Sequence, residues 1–109
     1  MANTFKLKTK ANVGVTTVGI YTAPAATTTV VIGITLANTS GSGVNVGVGI
    51  TRAGTTEDVK LLKNAPIPSG SSLEFMAGNK VVLEETDTVV VDSDTNNSVD
   101  ASLTIMAVS

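Results

Sequence analysis

In the stretch GVNVGVGITR, Gly43 to Arg52, aliphatic side chains occupy every second position. Side chains alternate faces along a strand, so Val44, Val46, Val48 and Ile50 share one side of an extended chain. Asn45, Gly47, Gly49 and Thr51 share the other. The same alternation recurs in Val30, Ile32, Ile34 and Leu36, and again in Val99, Ala101, Leu103, Ile105 and Ala107. A period near 3.6 is absent, so helices are not expected. The chain has 109 residues, which suits one domain. Brief alternating runs separated by frequent turns predict an all-β, single-domain antiparallel β-sandwich, jelly-roll-like, of about eight strands.

Phe5 and Leu7 alternate with Lys6 and Lys8, so residues 1–12 read as an N-terminal arm or edge strand and residues 13–109 as the sandwich domain. Val13, Val15, Val18 and Ile20 suggest a second strand, bulged where the parity changes, and Pro24 ends it. After the turn cluster NTSGSG and the Val44 strand, Val59 and Leu61 open a short strand. It should stop before NAPIPSG, where Pro66 and Pro68 disfavour ladder hydrogen bonds. Leu73 and Phe75 form a strand that Met76 to Asn79 turn into a tight hairpin with Val81 and Leu83. Glu84 to Asp87 turn the chain again, Val89 and Val91 follow, and the polar loop DSDTNNS leads to the last strand.

Chemistry is scarce. There is no cysteine and no histidine, which removes thiolate chemistry, the commonest metal ligand and the side chain that titrates nearest neutrality. Acid–base work would fall to carboxylates or lysines with strongly shifted pKa values, so no enzyme and no cofactor is expected. Asp92, Asp94 and Asn96 are spaced like the first ligands of a calcium loop. An EF-hand needs glycine at its sixth position and glutamate at its twelfth, where Asn97 and Leu103 stand, so a solvated loop is the simpler reading. Glu84, Glu85 and Asp87 could pair as acid and base on a sugar, but the chain has no tryptophan platform. Gly41, Gly43, Gly47 and Gly49 lack the lysine and following helix of a phosphate loop. A net charge of −2 and only three aromatics, Phe5, Tyr21 and Phe75, give no platform for nucleic acid. No apolar run is long enough to span a membrane, and MANTFKLKTK lacks the apolar region of a signal peptide. Synthesis and maturation in a cytosol are expected.

What remains points to contact surfaces. Lys6, Lys8 and Lys10 precede the first acid, Glu57. They fit either a basic arm that meets an acidic neighbour or lysines guarding a sheet edge. Gly47 and Gly49 leave a bare face where another backbone, from this domain or another subunit, can come close. Met76 and Met106, with Val82, Val90 and Val108, lie off the main apolar rows. They would stand on outer faces, and an apolar outer patch marks a partner surface.

The segments ITLANTSGSGVNVGVGITRAG, LLKNAPIPSGSSLEF, NKVVLEETDTVVVDSD and SVDASLTIMAV together resemble a family of small virion structural proteins of tailed bacteriophages, of the marine and cyanobacterial phage type. The resemblance spans roughly Val13 to Val108. It implies a β-sandwich accessory protein of the virion, foremost a capsid decoration or cement protein. Such a protein would be a homo-oligomer within the particle, with the major capsid protein as partner and no nucleic-acid or membrane partner. A tail, neck or fibre component is the alternative it implies. A calcium- or glycan-binding surface module is the alternative from another class.

Overall fold

A computed structural model describes residues 3–53, 57–75 and 80–108. Among these residues all regular structure is strand: β1 (Asn3–Val13), β2 (Val18–Thr22), β3 (Thr28–Asn38), β4 (Val44–Arg52), β5 (Glu57–Ile67), β6 (Ser72–Phe75), β7 (Val81–Leu83), β8 (Asp87–Ser93) and β9 (Val99–Val108). All pairings are antiparallel. One sheet, sheet A, has the order β1-β9-β3-β6, with β7 also on β3; the other, sheet B, has the order β2-β8-β4-β5. Consecutive strands thus alternate between sheets along much of the chain, which is the winding of a jelly roll.

The core is aliphatic. Val44, Val46, Val48 and Ile50 of β4 and Val89 and Val91 of β8 face Val31, Ile34 and Leu36 of β3 and Ala101, Leu103 and Ile105 of β9. Polar clamps join the sheets. The Tyr21 hydroxyl pairs with that of buried Thr29 at 2.9 Å. Buried Asn38 donates its amide to the carbonyls of Ser42 and Ile67, each at 2.9 Å. Every buried side-chain polar atom among the described residues has a partner, so none carries the cost of an unmet hydrogen bond.

Several sequence expectations shift because bulges reset parity. The register of β3 on β9 slips between Val31 and Gly33. Val31 and Ile34 therefore both face the core, and Val30, expected in the inward row, faces out opposite Met106. Val13 closes β1, and Val15 lies in the bend before β2, 56% exposed. β5 does not stop at Asn64 but runs through Pro66 to Ile67. It is an edge strand, where proline's missing N–H costs no ladder bond. β6 and β7 both run antiparallel to β3, at different places along it. They are successive pieces of one edge and not the two arms of a hairpin; residues 76–79 lie outside the described set.

β5 also explains the glycines of β4. Its register slips twice opposite Val46 to Gly49, and Asn64 takes a left-handed φ of 55°. Bulges sharpen twist, and β5 folds its carbonyls over the outer side of β4. A Cβ on Gly49 would stand 2.7 Å from the Val59 carbonyl oxygen, and one on Gly47 2.7 Å from Asp92 Oδ1. Gly33, by contrast, faces open space, with nothing within 4 Å of a Cβ. Gly49→Ala is expected to lower unfolding stability by about 1–3 kcal/mol, as overpacking does. Gly33→Ala is expected to leave it unchanged or raise it by about 0.5 kcal/mol. Urea unfolding of the two variants measures the contrast, and equal effects would contradict the packing described.

Candidate interaction face

The register places a cross-strand apolar row on the outside of sheet A. Phe5 lies opposite Met106, Met106 opposite Val30, and Val30 opposite Val82. Phe5 is 69% exposed and Val82 58%, while Met106 and Val30 are half-buried. Leu7, in the next row with Thr104 and Gly33, is 66% exposed. Val108 continues the face on the other side of the row, opposite Asn3 and Thr28. Beyond Leu7 the face is small and polar: Thr9, Ser102 and Thr35, then Ala37 and Ser72. Its acids on β6 and β9, Glu74 and Asp100, stand at that far end, while Lys80 and Glu84 flank β7 next to Val82. Depletion of charge around Phe5, Leu7, Met106 and Val30 is the mark of an interface centre.

The residues singled out from sequence scatter over three settings. Met106 and Val82 belong to the outer row. Lys6, Lys8 and Lys10 stand opposite Ile105, Leu103 and Ala101, so they point to the core side of sheet A, the reverse of what amphipathic alternation suggests for Phe5 and Leu7. β1 is an edge strand, so that side stays open to water. Lys8 holds its ammonium 5.8 Å from the centre of the Tyr21 ring, a cation–π distance. Inward-pointing lysines on an edge discourage further strand pairing. Gly47 and Gly49 are buried beneath Asp92 and β5 of the same chain, so the backbone they admit is this domain's own and they present no free surface. Met76 lies outside the described residues.

Phe5, Leu7 and Val30 were not singled out from sequence. The signal was present in TTVVIGIT: three consecutive apolar residues, Val30 to Ile32, cannot all face inward from one strand.

No family model and no curated protein matches this sequence. Solved structures do. A chain of the Bacillus endospore appendages, described as a novel family of disulfide-linked pili, superposes with a TM-score of 0.55 at 15% identity, over 97% of this chain and 85% of that one. A chain of the IBDV viral particle superposes with a TM-score of 0.58 at 13% identity, over 96% of this chain. This chain spans 30% of the length of that viral chain. At these identities the likeness is one of fold.

The acidic residues make local ties. Asp92 accepts the Thr17 hydroxyl at 3.0 Å, Asp94 accepts the Asn45 N–H at 3.1 Å, and Asn96 accepts the Val15 N–H at 3.4 Å. Among the described residues no three His, Cys, Asp or Glu side chains gather as a metal site would require. Arg52 lines an open groove of about 440 Å³ with Ile50, Val59, Val82, Glu84 and Asp87. Its Nε donates to buried Asp87 at 3.2 Å and its Nη2 to Glu84. Hydrogen bonding to Asp87, followed by that residue's charge, raises the Arg52 pKa. The other Asp87 oxygen accepts the Glu84 N–H at 3.0 Å, locking the turn in which Thr86 takes a φ of 71°. The cluster is a turn clamp between β7 and β8. Asp87→Asn should cost about 1–3 kcal/mol of unfolding stability, because it weakens charge-assisted bonds at a buried site. Arg52→Met should cost clearly less, its side chain being one-third exposed. Thermal unfolding of both variants checks the order; a reversed order would contradict the clamp.

Proposed function

We propose that this chain is a structural subunit of a virion rather than an enzyme, and specifically a bacteriophage capsid decoration or cement protein. One observation carries the reading: a jelly roll with no reactive side chains gathered among its described residues exposes a row of apolar side chains across sheet A, free of charged neighbours from Phe5 to Val30. Exposed Phe, Leu and Val side chains cost free energy in water, at about 25 cal/mol per Å² of apolar surface. A neighbour that covers them recovers it. Many weak copies acting together then stabilise a shell that no single contact would hold.

The phage-family resemblance supports the finer part of this reading. The likeness of fold to a chain of the IBDV viral particle and to one of the Bacillus appendages supports the coarser part, a subunit of a repeating assembly. The disulfide linkage named for those appendages has no counterpart here, since this sequence has no cysteine. Its contacts, with like copies and with the major capsid protein, are non-covalent on this reading, and its place is the virion.

Phage particles assembled with and without the chain, heated while genome release is followed by dye fluorescence, test the role. Particles lacking it should rupture several degrees lower. Identical rupture profiles would contradict a cementing function.

A further inference from the structure

We infer that the outer face of sheet A packs against the same face of a second copy about a two-fold axis. The inference takes that face as a contact surface, as the proposed function does, and names its occupant. The face has two unlike ends. One carries the projecting row of Phe5, Met106, Val30 and Val82. The other is a hollow of about 300 Å³ lined by Thr9, Ala11, Thr35, Ala37 and Ser102, with Lys10 and Asp100 also bordering it. That is roughly twice the ~150 Å³ of a cavity that takes up benzene.

A two-fold axis lying in the interface and crossing the strands at the row of Leu7, Thr104 and Gly33 exchanges these ends. Phe5 lies two residues to one side of Leu7 and Thr9 two to the other. Rotation therefore brings the Phe5 ring of each copy over the Thr9 and Ser102 region of its partner, and sets the two Leu7 side chains together at the axis. A contact in which one patch meets itself is isologous and closes as a dimer. The same rotation sends the acids Glu74 and Asp100 of the two copies to opposite ends of the pair. An axis along the strands would instead stack the acidic ends, and like charges brought together would oppose it.

The area is sufficient. Four strands about 4.8 Å apart, each about nine residues long at about 3.3 Å per residue, cover roughly 570 Å². Two such faces bury on the order of 1,000 Å², the least that a specific interface clears. With Lys6, Lys8 and Lys10 on the other side of β1, no basic residue of β1 stands between the faces in the apolar half.

Sedimentation velocity over a concentration series reads the association directly. The chain should shift from monomer to dimer. Leu7→Glu should weaken that shift by about tenfold or more, as loss of a central contact does, with unfolding unchanged because Leu7 is exposed. Placement is read separately. The chain has no cysteine of its own, so Leu7→Cys treated with a short bis-maleimide should cross-link to dimer. Val15→Cys, exposed in the bend between β1 and β2, should not. A chain that stays monomeric at every concentration would overturn the inference, as would equal cross-linking of the two cysteine variants. A monomer that still protects particles from heat would overturn it while leaving the virion role standing.

Discussion

Parity across two facing sheets is the constraint on which the rest of this structure depends. The core holds aliphatic side chains almost alone, and each strand contributes every second residue to it. An extra residue anywhere reverses which side chains are inside from that point on. In β3 the slip at Ile32 keeps Val31, Ile34 and Leu36 in the core and puts Val30 outside. The step that seals the interior therefore also adds an apolar residue to the exterior, between Met106 and Val82. In β5 the slips opposite Gly47 and Gly49 roll carbonyls over β4, and at Gly49 only glycine leaves room for the Val59 carbonyl.

This divides the molecule into two unlike outer surfaces. Outside sheet B, Asp92 lies across Gly47 and is fixed by Thr17, β5 covers Gly49, and the hydroxyls of Thr22 and Thr88 pair at 2.8 Å. That side is satisfied by its own residues. Outside sheet A nothing comparable among the described residues covers Phe5 or Leu7. The edges differ as well. β5 carries Pro66 and bulges, β2 is short, and β6 and β7 break one edge in two. β1 is long and regular from Asn3 to Lys10, and its inward lysines guard it. Edges so protected disfavour growth by strand addition, which leaves the broad face of sheet A as the surface through which this domain meets others.

Most of the architecture was legible in the sequence because alternation is a strong signal where it is uninterrupted. Val44 to Arg52 and Val99 to Val108 fall where the pattern puts them, with the expected faces. The misreadings have separate physical causes. A bulge leaves no mark on composition, so the inward row of β3 was beyond reach of a fixed period of two, and β5 runs on through Pro66 because an edge strand tolerates proline. The lysines of β1 misled because an edge strand has a core side that is wet. The contact face was half visible: Met106, Val82 and Val108 stood off the main rows, but alternation alone left the face of Phe5 and Leu7 open until register set them opposite Met106 and Thr104.

The central claim is that Phe5, Leu7, Val30, Val82 and Met106 form an outer face that is bare in a single chain and covered in the assembled state. Methyl-resolved NMR with a soluble paramagnetic probe, at low and high protein concentration, tests it most directly. The account predicts that the methyl signals of Leu7, Val82 and Met106 are broadened when the chain is dilute and protected when it is concentrated, while those of Leu36, Leu103 and Ile105 are protected throughout. Protection of Leu7 and Val82 in the dilute chain, or their broadening at every concentration, would contradict it.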